Sequence, residues 1–103
     1  MVSLFALYRR PADEQAFLSH YESVHVPLAK RLPGLIDLKW GQPQVLGDEQ
    51  DAEQGLWFFV AELTFADKRT LVGALESKEG QAASRDVQSF ADGLLTMRTV
   101  EWQ

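Results

Sequence analysis

Apolar residues recur along the chain with two periods, and the switches between them mark out the elements. Val2 to Arg9 is short, rich in β-formers and reads as a first strand. Asp13 follows as a helix N-cap, with Ala12 before it and Phe17 four positions into the helix as a modest staple. Phe17, Tyr21, Val24 and Leu28 then recur at helical spacing, so one face of this helix is apolar and calls for a packing partner. Pro27 lacks an N–H and pushes Val26 out of the α region. The first helix should therefore end near His25, and a short second one should run from Pro27 towards Leu32. Pro33 and Gly34 stop that piece and turn the chain into a strand from Leu35, with Ile36, Leu38 and Trp40 on one face and Asp37 and Lys39 on the other. Gly41 to Gly55, with its acidic stretch from Asp48 to Glu53, reads as a solvated loop. Leu56 to Phe65 is the strongest strand and is apolar on both faces for most of its length. Ala66 and Asp67 open the next helix, with Leu71, Val72 and Leu75 inward. Ser77 caps a further helical stretch through Gln81, Ala83, Val87 and Phe90, and Leu94 to Trp102 closes the chain as strand four.

The order is βαββαβ within a single domain spanning residues 1–103. Each half is a βα unit with a right-handed crossover, which puts both helices on one face of a four-stranded antiparallel sheet. The other face is left bare. Yet strands one and three carry large apolar residues on both faces: Leu4 and Tyr8 against Phe5 and Leu7, then Trp57 and Phe59 against Phe58 and Val60. A bare aromatic sheet exceeds what soluble monomers expose, so a second copy should cover it in a homodimer packed sheet to sheet.

With 103 residues, 46% of them apolar and 11% aromatic, the chain can bury a sizeable core. Its net charge of −5 argues against nucleic acid or an anionic membrane as partner and leaves small neutral or apolar ligands open. Cysteine is absent, which removes disulfides and thiolate chemistry and fits a reducing compartment; the expected location is cytoplasmic. The opening run from Met1 to Tyr8 is too short for a signal segment and precedes its basic pair, and no run approaches a membrane span.

Both histidines lie in the segment from Phe17 to Leu35. His20 and His25 are five residues apart, about 140° round an α-helix, so their rings should not converge as ligands at i and i+4 would. A zinc-protease reading fails on that spacing. The pattern Phe17-x-x-His20-Tyr21-x-x-x-His25-x-Pro27-Leu28-Ala29-x-x-Leu32-Pro33-Gly34-Leu35 resembles the signature of EthD-like proteins, within the dimeric α+β barrel superfamily of ferredoxin-like folds. The likeness extends to Tyr8, Arg9 and Arg10 at the end of the opening strand and to a late helix with Ser77, Glu79, Gly80, Asp86 and Phe90. It implies a dimer whose two sheets form a barrel, with an apolar cavity beside each sheet. Relatives are associated with degradation of xenobiotic ethers and aromatics, and related barrels include cofactor-free isomerases, polyketide cyclases and monooxygenases. The acidic stretch from Asp48 to Glu53 has no counterpart in the family pattern.

His25 is the first catalytic candidate, because an imidazole at a broken helix end facing an apolar interior can exchange protons near neutral pH. Its structural alternative is a buried histidine that ties up the carbonyls freed by Pro27. Tyr21, one turn away, could orient His25 or simply fill the core; Tyr8, at the end of strand one, could donate to a ligand oxygen or pack. His20, Trp40 and Trp57 are the candidate ligand-binding residues, each with a packing role as the alternative, and Trp102 belongs to the same aromatic set. Glu62, an acid in the most hydrophobic strand, must be paired, near the rim or pointing into a wet cavity, with the rim position preferred. Two histidines without a convergent carboxylate make no facial triad, the glycines are isolated and form no phosphate cradle, and no serine nucleophile elbow is present. Some barrel relatives bind haem and His25 could serve there, but the pattern does not demand it, and no metal or cofactor is expected. Three readings follow: a binding or accessory protein for a small hydrophobic metabolite, a cofactor-independent isomerase, cyclase or monooxygenase using His25 as acid and base, or a dimer whose barrel is packed solid with no cavity.

Overall fold

The computed structural model describes residues 1–47 and 56–103, so the acidic stretch read as a loop lies outside the described residues. Strands β1 (Val2–Arg9), β2 (Asp37–Gly41), β3 (Trp57–Phe65) and β4 (Leu95–Glu101) form one antiparallel sheet in the order β2-β3-β1-β4. β1 is central: Tyr8 faces Phe59 on one side and Leu95 on the other. Helices α1 (Glu14–His20), α2 (Val26–Ala29), α3 (Lys68–Glu76) and α4 (Lys78–Phe90) complete the βαββαβ, ferredoxin-like order. The expected caps are in place. Asp13 accepts from the Ala16 N–H at 3.0 Å, Asp67 from the Thr70 N–H at 2.8 Å, and Ser77 Oγ from the Gly80 N–H at 3.0 Å.

The core lies between the sheet and the helices. Phe17, the inward residue of α1, sits 5.3 to 5.5 Å, centroid to centroid, from Tyr8, Phe58, Phe59 and Phe90. Such edge-on and tilted pairs add about 0.5–1.5 kcal/mol each beyond the area they bury. This cluster joins α1, β1, β3 and α4, and it is the platform on which the histidine segment rests.

Four expectations are corrected. First, the helix does not break at Pro27. Its winding widens into a π turn over Tyr21–His25, where the Val26 N–H donates to the Tyr21 carbonyl five residues back, and it continues through Pro27 into α2 and on to Leu32. Pro27 cannot donate, its ring crowds the carbonyl four residues back, and Ser23 Oγ donates to the Ser19 carbonyl at 2.7 Å; each disturbs the ordinary ladder, and a wider turn accommodates all three. Second, the extra residue shifts the helical phase: Val24, expected inward, is exposed and Val26 is buried in its place, while His25 is buried as expected. Third, the β1–β3 register slips between Tyr8 and Arg9, where Phe59 pairs with Tyr8 but Trp57 with Arg9. This bulge removes the strict alternation, so Phe58 and Phe59 are both buried, each packing on Phe17. Fourth, Ile36 and Val72 are exposed rather than inward. Ile36 precedes β2 and takes part in the sheet only through its N–H, which donates to the Thr64 carbonyl at 2.8 Å.

The open face of the sheet is consequently more mixed than expected. Phe5 and Leu7 share it with Val60, Glu62 and Arg98. Of the positions open to Glu62 the paired one is taken, rather than the preferred rim: Ser3 Oγ donates to it at 2.6 Å and Lys39 Nζ lies 3.5 Å away. Trp102 folds over the same face, donating from Nε1 to Ser3 Oγ at 2.8 Å and meeting Phe5 edge-on.

Candidate functional site

A π turn hydrogen-bonds five residues back rather than four, so it brings positions five apart nearer to one face than an α-helix does. His20 and His25 are five apart, and they do converge, contrary to the α-helical estimate. Their common target is Asp86 on α4. His20 Nε2 lies 2.8 Å from Oδ1 and His25 Nδ1 lies 2.9 Å from Oδ2 of the same carboxylate. A carboxylate oxygen accepts, so each ring donates through the nitrogen facing it. Both facing nitrogens are thereby engaged, and among the described residues no group of three or more side chains is arranged to hold a metal ion.

The two rings occupy different surroundings. His25 is 7% exposed and tilts over Tyr21 at 5.2 Å, whereas the His20 side chain is 30% exposed and stacks on Phe90 at 4.4 Å. Burial pulls the His25 pKa below its ordinary value and outweighs the opposing hydrogen bond and charge of Asp86; the nearby His20 pushes the same way as burial. His25 is therefore a neutral imidazole near pH 7. Burial also pushes the hydroxyls of Tyr8 and Tyr21 well above the usual phenol range, with the neighbouring Tyr21 and Asp86 adding to the shift at Tyr8, so both stay protonated.

Beneath His25 a cavity of about 360 Å³ lies between the sheet and α4. Leu4, Ala6, Leu63, Leu75, Val87 and Leu95 give it an apolar wall, and Tyr8, His25, Ser84, Gln88 and Asp92 are the polar residues of its lining. His20 lies outside, in a separate groove with Phe17, Phe90 and Asp92. Of the six residues singled out from the sequence, His25 and Tyr8 therefore meet at the cavity, with Tyr21 against the ring of His25 but not in the cavity lining. Trp40 packs 6.2 Å from Tyr21 and lines a shallow surface groove with Gln15 and Glu22. Trp57 stands at the end of β3 under the Arg9 guanidinium, 5.5 Å from its ring, and does not line the cavity. The residue that joins the two rings, Asp86, enters the sequence reading only through the family pattern. Its signal was an acid on the apolar stripe of the last helix, beside Ala83, Val87 and Phe90.

A four-stranded antiparallel sheet under paired helices, with a mainly apolar, partly open cavity and a buried imidazole between the layers, defines a ferredoxin-like α+β protein. Residues 9–94 match the model of the EthD domain, and the chain belongs to the EthD family. It is 36% identical over 97 residues to an uncharacterised 11.0 kDa protein from the thcB-thcC intergenic region of Rhodococcus erythropolis, covering 94% of this chain and 90% of that one. The crystal structure of an ethyl tert-butyl ether D (EthD) family protein from Bacillus halodurans superposes with a TM-score of 0.86 at 35% identity, over 100% of this chain and 99% of the other. A dimeric ferredoxin-like protein of unknown function from Jannaschia shares the fold with a TM-score of 0.70 at 15% identity, covering 98% of each chain.

Proposed function

We propose that this protein binds a small, neutral, largely apolar molecule in the cavity between the sheet and α4, as an accessory in the catabolism of a hydrophobic ether, aromatic or related compound. The observation that carries the reading is the cavity itself: about 360 Å³, walled mainly by aliphatic side chains, with Tyr8, His25, Ser84 and Gln88 among its polar lining residues. The Bacillus relative bears ethyl tert-butyl ether in its family name, which supports the chemical class. The working unit is a homodimer paired through the open sheet face; the Jannaschia neighbour is described as dimeric, and Phe5, Leu7 and Trp102 supply apolar surface on that face. A methyl NMR titration with cyclohexanol as a neutral probe tests the binding. Shifts confined to Leu4, Leu63, Leu75, Val87 and Leu95 are expected, and no shift at millimolar probe would refute the reading.

A second reading, cofactor-independent proton transfer, is favoured by the bond from His25 Nδ1 to Asp86. A carboxylate behind a neutral imidazole orients the ring and stabilises the imidazolium that forms when the opposite nitrogen takes a proton. Deuterium exchange at the α-carbon of cyclohexanone, followed by NMR, reads this directly. Wild type should exceed His25→Ala by roughly 10²–10⁴-fold if His25 is the base, and equal rates would remove it.

A further inference from the structure

One carboxylate held by two rings fixes more than position. Asp86 has two oxygens, and each is occupied: Oδ1 by His20 at 2.8 Å and Oδ2 by His25 at 2.9 Å. His20 is itself held flat against Phe90, centroids 4.4 Å apart and planes 28° apart, and it lies outside the cavity. It therefore cannot touch a ligand in the cavity, and its influence there runs through Asp86. With Oδ1 anchored by His20, the carboxylate cannot rotate to leave Oδ2, so His25 keeps its proton on Nδ1. In a neutral imidazole the second nitrogen is then a bare acceptor. Nε2 is the nitrogen that remains for the cavity His25 lines. Tyr8, kept protonated by burial, brings a hydroxyl to the same cavity. Among the described lining residues there is no lysine or arginine, and the charged one is Asp92. A carboxylate or phosphate ligand would meet no compensating charge there.

We propose that the His20–Asp86 bond fixes His25 as its Nδ1–H tautomer, so that the cavity selects a compact apolar molecule bearing a hydroxyl that donates to His25 Nε2, in preference to the corresponding ether. This rests on the cavity being a binding site, as argued above. His20 is a positioning residue in this scheme. A hydroxyl donates to Nε2 and still accepts from Tyr8, whereas an ether oxygen only accepts and offers Nε2 no donor.

The test compares cyclohexanol with methoxycyclohexane, its methyl ether, by methyl NMR titration, together with the ¹⁵N spectrum of the His25 ring at pH 7. The alcohol should bind roughly 10- to 100-fold more tightly, the discrimination expected when one buried acceptor is left unmatched. His25 should show a protonated Nδ1 and a bare Nε2. His20→Ala should admit the Nε2–H tautomer and narrow the preference for the alcohol, while His20→Gln, whose amide also donates, should retain both; a purely structural His20 would leave the tautomer unmoved in both variants. Equal affinities for alcohol and ether, or an Nε2–H ring in wild type, overturn the selectivity while leaving the binding role intact. If neither probe shifts the cavity methyls, the binding role fails and the selectivity falls with it.

Discussion

Replacing Asp86 with alanine tests the centre of the site, because one side chain serves two rings that differ in exposure. His25 is buried, and its Nδ1–H would lose its acceptor with little access to water; leaving a buried donor unpaired costs about 1–3 kcal/mol, towards the upper end when the lost partner is charged. The His20 side chain is 30% exposed and can turn to solvent, so its share is under about 1 kcal/mol. Alanine returns a few tenths of a kcal/mol in helix propensity at this position of α4, which leaves about 2–3 kcal/mol of net destabilisation. For a domain near 100 residues each kcal/mol moves Tm by about 4–8 °C, so a fall of roughly 10–20 °C is expected. Calorimetry at fixed protein concentration measures it, since any dimer makes Tm depend on concentration. His20→Ala serves as the control and should shift Tm by less than half as much. An Asp86→Ala variant within about 3 °C of wild type, or a His20→Ala variant that is equally damaged, would refute the bridge as the element that holds the segment together.

Acid should weaken the fold through His25. Its pKa in the folded state lies below the ordinary value near 6.5, so the folded chain binds fewer protons than the unfolded one at mildly acid pH. The contribution is fully present above about pH 6.5 and is lost as pH falls through the lower folded-state value. Urea midpoints from pH 8 to 5 should show this limb, and a His25→Gln variant with an unchanged limb would assign it elsewhere. Gly80→Ala should destabilise by about 1–3 kcal/mol, because a Cβ there would collide with the backbone carbonyls of Ala74 and Leu75 where α3 meets α4. The same exchange in an open helix interior stabilises, so the sign of the Tm change decides it. Leu7→Lys on the open sheet face should give a monomer by light scattering with unaltered circular dichroism, and a persistent dimer would place the interface elsewhere.

Much of the frame was legible because period, caps and turns agree with one another. The alternation in β1, the Asp13, Asp67 and Ser77 caps and the Pro33-Gly34 stop each reflect local chemistry that tertiary contacts reinforce. The misplaced faces share a cause. In β3 a single slipped residue puts Phe58 and Phe59 on the same packed side, and in the histidine segment a single extra residue turns Val24 out while His25 keeps the inward position expected of it. One inserted residue leaves composition and propensity unchanged while reversing the inference about faces, so a pattern read with a fixed period cannot register it. No helix among the described residues is long and apolar enough to cross a membrane.

The π turn shows where such an insertion gains its stability. Pro27 states that the α-helical ladder must fail near Ser23, but failure has two forms, a stop or a widening, and the local sequence is compatible with both. A stop would leave His20 and His25 on different sides and Asp86 with at most one partner. The widening places both rings within 2.8 and 2.9 Å of one carboxylate contributed by a helix more than 60 residues later in the chain. The compensation for a weakened local ladder is thus long-range, and it exists only once α4 has docked. For this reason the two histidines, the acid and the proline form one structural unit, although the spacing of the histidines, taken alone, argues that they never meet.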